Sequence, residues 1–398
     1  MKHKYWILFQ LFIFLLLFLN ISCLAERITI SLYNNYNLQS VIILPESSPF
    51  GVTLDNSVNI IIKPGDTLYL SIAGDSLDVV KLNGFHRTCS EFRMTGINEN
   101  ATFKVNPVIP ALEEREYDGD IIVSFDINRL LLVNKVQVEQ YLAGVVLSEG
   151  GAGGLAEYYK TQAILCRTYL YKHINKHIEE GFNLCDDVHC QVYKTRGSQI
   201  EKINNAINET AGLVIVDRNS ELITAAFHSN CGGQTTNSKD VWIKSFPYFQ
   251  SIKDPYCHNG NNSTWTRTIS VEEWLNYLKE NGYSGNDVDF VSFEFKQPVR
   301  KTHYIVDDFI LPLKKIRNDW TLKSSFFNVN YQDNQIVLKG KGYGHGVGLC
   351  QEGAMEMARQ GKNFRQIISF YYKDVMIERR KPGSMFAIFR FNHTGNKC

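Results

Sequence analysis

Apolar and polar residues alternate along residues 27–126 in short runs such as Arg27–Leu32, Ser57–Ile62, Thr67–Ile72 and Thr102–Val105, with Gly, Asn and Asp between them. A period of two broken by turn formers is the pattern of half-buried strands, and it predicts a β-rich module over residues 27–116. Ile121–Phe125 and Leu130–Val133 read as a hairpin leading into a helical region. From Val138 the period lengthens. Tyr159, Ala163, Cys166, Leu170 and Ile174 share one helical face, so Ala156–Ile178 reads as a helix ended by Gly181. A shorter helix is expected over Ile200–Thr210, and Leu213–Val216 and Leu222–Phe227 read as strands paired around Asp217–Ser220. Ser270, with Glu273 three residues on, marks the start of a helix over Val271–Glu280. Strands are expected at Ser292–Phe295, Tyr304–Leu311 and Ile336–Lys339, the last running into a glycine-rich turn. Gln351–Gln360 reads as a helix closed by Gly361, and Asn363 caps a final helix through Tyr372. Helices and strands interleave irregularly, which defines an α+β class rather than a regular βαβ fold.

The first residues change the picture of where this chain works. Lys2 and Lys4 precede the run Trp6–Leu19, broken only by Gln10, and small Ser22 comes after it. Residues 1–25 therefore read as an export signal. The apolar run is shorter than the roughly 20 residues of a permanent span. Leu19-Asn20-Ile21-Ser22-Cys23 is also a loose lipoprotein box, so cleavage near Ala25 and a lipid anchor on Cys23 both stay open. The body is expected outside the cytoplasm, in the periplasm or cell envelope. Lys plus Arg is 42 and Asp plus Glu is 41, and without Lys2 and Lys4 the balance turns to −1. That balance argues against nucleic-acid binding driven by a basic surface, which needs many Lys and Arg to displace counterions. The length of 398 residues allows two or three domains, with a tail over residues 381–398. Beyond Cys23 lie Cys89, Cys166, Cys185, Cys190, Cys231, Cys257, Cys350 and Cys398. An even count in an exported chain permits disulfides. Cys166 and Cys350, in apolar contexts, read as buried thiols.

Four segments carry chemistry. In Tyr141–Glu149 an apolar segment delivers one carboxylate to the glycines at 150, 151, 153 and 154. A carboxyl at the edge of an apolar wall has its charged form disfavoured, as a general acid requires. The plain alternative is an acid placed near a helix N-terminus for the dipole. Cys185, His189 and Cys190 resemble a zinc half-site, with His177 or His173 as a fourth ligand, and a Cys185–Cys190 disulfide competes equally. Phe227–Thr235 ends a strand in a small-residue turn. Adjacent His228 and Ser229 point to opposite sides of a strand, so they suit a positioning loop better than a nucleophile pair. Gly340–Ala354 is glycine-rich and opens a helix, but lacks the Gly-Lys-Ser/Thr ending of a phosphate loop. His345 among glycines suits a sugar or carboxylate ligand, or else the glycines fit beside another backbone.

Taken together, these segments resemble the stage II sporulation protein D (SpoIID/LytB) family of bacterial cell-wall enzymes. Tyr141–Glu149, Lys160–Tyr169, Cys185–Tyr193, Phe227–Thr235, Gly342–Ala354 and Phe370-Tyr371-Tyr372 carry the resemblance, which spans about residues 117–380. It implies a SpoIID-like catalytic domain there and a lytic transglycosylase acting on peptidoglycan glycan strands, often denuded by an amidase. Glu149 stands at the family's catalytic glutamate. Ordinary glycosidases use two carboxylates. In a lytic transglycosylase the muramyl 6-hydroxyl attacks its own anomeric carbon, and effective concentration replaces the second residue. By position, Arg167, Gln191, Tyr193, His228, Ser229, Thr235, His345 and Gln351 are expected to line the cleft. No cofactor is required for the chemistry. Relatives with a similar Cys…His-Cys loop carry zinc, which implies a structural ion on Cys185, His189 and Cys190 with His177. The chain departs from the family where glycines come after Glu149, at Cys350 in place of serine, at Lys341-Gly342-Tyr343 and at Asn230-Cys231. An amidase-enhancer branch offers a second class, a non-catalytic glycan binder that partners a cell-wall amidase. A zinc hydrolase built on Cys185, His189 and Cys190 is a third.

Overall fold

The computed structural model describes residues 26–82, 84–285 and 293–380. The export signal, the Cys23 anchor, the tail with Cys398 and the start of the Ser292–Phe295 strand lie outside the described residues.

Thirteen strands build two sheets: β1 (Arg27–Leu32), β2 (Ser40–Pro45), β3 (Phe50–Leu54), β4 (Val58–Ile62), β5 (Leu68–Ala73), β6 (Ser76–Lys81), β7 (Phe85–Cys89), β8 (Glu91–Gly96), β9 (Thr102–Ile109), β10 (Arg115–Asp118), β11 (Asp120–Asp126), β12 (Arg129–Gln137) and β13 (Leu184–Cys185). The first sheet runs β13-β1-β12-β11-β8-β3-β4 and the second β10-β9-β2-β5-β6-β7. Alternate residues of each, such as Val41, Ile43, Leu68, Leu70, Phe92 and Met94, are buried. The inner faces meet where Phe50 of one sheet lies edge-on to Phe103 of the other, centroids 6.3 Å apart. The period-two reading is therefore correct here because each strand has one dry face. The first sheet does not stop at residue 116: β1 pairs antiparallel with β12, and β8 with β11. One continuous apolar core runs from these strands into the helices beyond.

The helices are α1 (Val138–Gly150), α2 (Ala156–Lys172), α3 (Glu201–Glu209), α4 (Val271–Glu280), α5 (Leu313–Asp319), α6 (Gln351–Arg359) and α7 (Phe364–Tyr371). β12 passes into α1 without an intervening loop, so the β1–β12 ladder sets where α1 begins. The helix predicted over Ala156–Ile178 ends at Lys172. Gly181 instead closes a separate 3-10 turn, Ile178–Glu180, in the left-handed conformation. Both expected caps are present as capping boxes, Ser270 with Glu273 and Asn363 with Gln366.

The pairing expected around Asp217–Ser220 is corrected. β14 (Leu213–Val216) runs antiparallel to β22 (Met376–Arg379), and Leu222 makes only an isolated bridge to Val216. β15 (Phe227–His228) pairs in parallel with β21 (Leu349–Cys350). Tyr304–Leu311 is a hairpin, β17 (His303–Val306) and β18 (Phe309–Pro312), turning at Asp307 with φ 49°. Residues 264–341 add the sheet of β16 (Thr264–Ser270), β20 (Gln335–Lys341) and β19 (Phe327–Gln332). With α4 and α5 they enclose a second core around Trp274, Tyr304, Ile316 and Leu338. No helix among the described residues is long and apolar enough to cross a membrane.

A candidate active site at the end of the first helix

α1 is buried almost all round: Tyr141, Leu142, Ala143, Val145 and Val146 are each at most 1% exposed. Its close fit depends on Gly144, where a Cβ would lie 2.4 Å from Tyr193 Cε2. The helix is thus a fixed rod, and Glu149 sits in its last turn. The dipole there disfavours a carboxylate, so the helix N-terminus alternative is excluded. Glu149 Oε1 accepts the Val192 N–H at 2.9 Å, and Oε2 takes no hydrogen bond among the described residues. Burial raises the carboxyl above its ordinary 4.5, with Asp187 adding to the rise and the Val192 hydrogen bond and Lys194 opposing it.

The glycine segment after Glu149 is ordered by one tyrosine. Tyr159 donates its hydroxyl to the Gly151 carbonyl at 2.8 Å and accepts the Gly154 N–H at 2.8 Å. Gly151 caps α1 at φ 68° and ψ 174°, a conformation that only glycine adopts cheaply.

Glu149, Gly150 and Gly151 form one side of an open cavity of about 410 Å³. Facing them are Ser229 and, from α6, Gln351, Glu352, Met355, Glu356 and Arg359. The remaining wall is a loop with Tyr256, Asn259, Asn261 and Asn262. Gln351 Nε2 donates to the Glu149 carbonyl at 3.1 Å, tying the two sides together. Glu352 Oε2 accepts from Asn230 Nδ2 at 2.6 Å, and its Oε1 accepts from Asn262 Nδ2 at 2.9 Å. Glu352 is therefore engaged in holding the wall, and Glu356, the third carboxylate of the lining, accepts from Gln360 Nε2 at 3.0 Å and Arg359 Nη1 at 3.2 Å, while Glu149 keeps an oxygen free of protein donors among the described residues. Asn262 Nδ2 also donates to Ser229 Oγ at 3.0 Å.

Of the residues expected in the cleft, Ser229 and Gln351 line this cavity with Glu149. The others lie outside this lining. Arg167 is 0% exposed, forks onto Glu139, and donates to the carbonyls of Thr210 at 2.9 Å and Leu213 at 3.2 Å. It braces α2 against α1 and α3. Gln191 is buried between the Tyr141 hydroxyl and the Cys166 carbonyl. Tyr193 is buried against Tyr117 and Tyr141 and donates to Asn134. Thr235 donates to the Gln250 carbonyl and accepts the Ile252 N–H. His228 is buried and bonded to the Val347 carbonyl, and burial holds its ring neutral. His345 packs with its ring tilted against His228 and Trp242 and lines a separate small pocket beside Arg300 and Arg317. Burial first, then Arg317, pushes its pKa down to about 4. Neither imidazole shares the Glu149 cavity lining. Each site position matched a motif, but an inward polar residue and a cleft residue look alike in one sequence.

The structure brings His177, Cys185, His189 and Cys190 together, their ligand atoms all within 4.8 Å of one another. His177 Nε2 lies 3.4 Å from Cys190 Sγ, and Cys185 Sγ lies 3.7 Å from His189 Nδ1. Glu180 holds His177 Nδ1, which leaves Nε2 for an ion. Two thiols and two imidazoles at these separations fit a closed tetrahedral zinc site. His173 is absent from the cluster. Sequence reasoning missed Tyr256, Glu352 and the loop amides. The run Asn259-Gly260-Asn261-Asn262 was the available signal, since clustered amides suit hydroxyl-rich ligands.

The stage II sporulation protein (SpoIID) family model matches residues 126–216, which hold α1, α2 and Glu149. The chain is 28% identical over 267 residues to an uncharacterized protein of Brachyspira hyodysenteriae, covering 66% of this chain and 72% of that one. It is 28% identical over 260 residues to stage II sporulation protein D of Bacillus subtilis, covering 62% and 75%. It is 27% identical over 289 residues to the amidase enhancer of Bacillus subtilis, covering 58% of this chain and 39% of that protein. The chain is thus similar to these proteins, and its residues 126–216 match the SpoIID family model.

Proposed function

We propose that this chain is an exported cell-wall protein that cleaves peptidoglycan glycan strands as a lytic transglycosylase, with Glu149 as the single acid and base. The observation that carries the reading is the Glu149 carboxyl: raised by burial, fixed through Oε1, free of donors at Oε2 among the described residues, and lining a cavity shared by Ser229 and four amide side chains with Glu352, Glu356 and Arg359. Glu149 protonates the glycosidic oxygen as its bond to the muramyl anomeric carbon breaks. The 6-hydroxyl of the same sugar then bonds to that carbon and returns its proton to Glu149, closing the 1,6-anhydro ring. Ser229, Asn259, Asn261, Asn262 and Gln351 orient the saccharide. Cys185, His189, Cys190 and His177 would hold a structural zinc, tying down the loop that bears Val192 and taking no part in proton transfer. Membrane contact in this reading runs through a lipid anchor if Cys23 is acylated and is absent if the signal is cleaved near Ala25, and denuded glycan strands are the substrate.

The amide-rich wall and the amidase-enhancer relative also favour a second reading, glycan binding without cleavage in aid of a cell-wall amidase. Purified chain and its Glu149→Gln variant, incubated with denuded peptidoglycan, separate the two. Catalysis predicts soluble product from the wild type alone and equal retention of both on the polymer. Retention of both with no product from either favours the binding protein.

A further inference from the structure

We propose that Cys231, Cys257, Cys350 and Asp254 form a second, closed metal site suited to zinc, separate from the His177–Cys190 cluster. Their ligand atoms all lie within 4.8 Å of one another, and no residue of the four is more than 1% exposed. Cys231 Sγ stands 3.4 Å from Cys257 Sγ and 3.2 Å from Asp254 Oδ2. Bonds of about 2.0–2.3 Å around tetrahedral zinc place neighbouring ligand atoms roughly 3.3–3.8 Å apart. Three soft sulfurs and one carboxylate oxygen select zinc over magnesium or calcium. Burying such a set without a counter-ion is costly, and a divalent cation offsets it.

The surroundings orient these groups as ligands. The Gly233 N–H points at Cys257 Sγ at 3.1 Å. Cys350 Sγ receives the N–H groups of Cys231 at 3.3 Å and Gly353 at 3.4 Å. Tyr371 donates to Asp254 Oδ2 at 2.9 Å, and the Tyr256 N–H to Oδ1 at 2.9 Å. Amide donors to sulfur and a hydroxyl donor to the carboxylate form the outer shell that fixes ligand direction and spreads thiolate charge. Four protein ligands leave no open position, so the ion is structural.

The ligands come from three segments distant in sequence: the turn after β15, the 254–262 loop, and the β21–α6 junction. Each segment also supplies the cavity. Ser229 lies two residues before Cys231, Tyr256 precedes Cys257, and Gln351 comes directly after Cys350. One ion would clamp the whole wall facing Glu149. The site stands on its own geometry, whatever the cavity binds.

The test uses the full chain carrying Cys185→Ser and Cys190→Ser, purified without chelator and loaded with zinc alone. One ion per chain is expected by mass spectrometric metal analysis, and it is lost when Cys257→Ser is added. Cobalt(II) in its place is expected to show a thiolate charge-transfer band, a readout that needs no further variant if the Cys257→Ser chain fails to fold. Failure of the double variant to bind an ion would overturn the proposal. So would an ion that persists in folded chain carrying Cys257→Ser, or non-reducing peptide mapping that finds Cys231 linked to Cys257.

Discussion

Replacing Arg167 with alanine tests the distinction between a brace and a cleft residue. The guanidinium is fully buried and holds the Thr210 and Leu213 carbonyls together with the Glu139 carboxylate. Each buried carbonyl left without its donor costs about 1–3 kcal/mol. The Glu139 side chain is 36% exposed, so water screens its charge and its share falls below the roughly 3–5 kcal/mol of a fully buried pair. The total comes to about 4 kcal/mol. At a urea slope of about 3 kcal/mol/M, the unfolding midpoint drops by about 1.3 M. Arg167→Lys restores one charge but not the fork, and recovers only part of the loss. The assay is urea unfolding monitored by tyrosine fluorescence, with glycan retention measured on chain that is still folded. The account expects a lowered midpoint and unchanged retention. Stability within about 1 kcal/mol of wild type, with retention lost, would refute it and place Arg167 in the cleft.

The same geometry sets other outcomes. A carboxyl raised in the folded state binds more protons folded than unfolded, so its ionisation subtracts stability above its ordinary 4.5 and through its raised pKa. Glu149→Gln should therefore unfold at higher temperature than wild type at neutral pH, and the difference should vanish at acid pH; equal melting at every pH would show the carboxyl is not strained. Tyr159→Phe removes both hydroxyl bonds to the glycine segment, and is expected to cost about 1–2 kcal/mol in urea unfolding and to reduce turnover more than glycan retention. Asn262→Ala releases Ser229 Oγ and leaves Glu352 Oε1 only the backbone N–H of residue 262, so weaker retention on denuded glycan is expected, with little loss of stability at this partly exposed position. Cys190→Ser should abolish zinc at the His177 cluster and lower the melting temperature, while chain that stays folded keeps its activity.

Local signals in the sequence translated well into structure. Ser270 and Asn363 start their helices because a side-chain oxygen and the acid or amide three residues on complete a box within one turn. The first strands were legible because one face of each is dry. What failed depended on distant chain. Leu213–Val216 finds its partner at Met376–Arg379 across more than 150 residues, and no turn chemistry announces it. Glu149 stood out as an acid ending an apolar run, and the cavity is where that run ends. Arg167 and Tyr193 carry the same motif signal as Ser229 and Gln351, yet close packing turns them inward. Cys231, Cys257 and Cys350 meet only because β15 pairs with β21 and the 254–262 loop folds over them.

The central claim is that one carboxyl moves one proton out and back while the sugar closes on itself. Cleavage of purified denuded peptidoglycan in heavy-oxygen water, read by mass spectrometry, tests it most directly. The account predicts a terminal 1,6-anhydro sugar, one water lighter than a reducing end and free of label, from wild type and not from Glu149→Gln. A labelled reducing end, or the same anhydro product from Glu149→Gln at the wild-type rate, would contradict it.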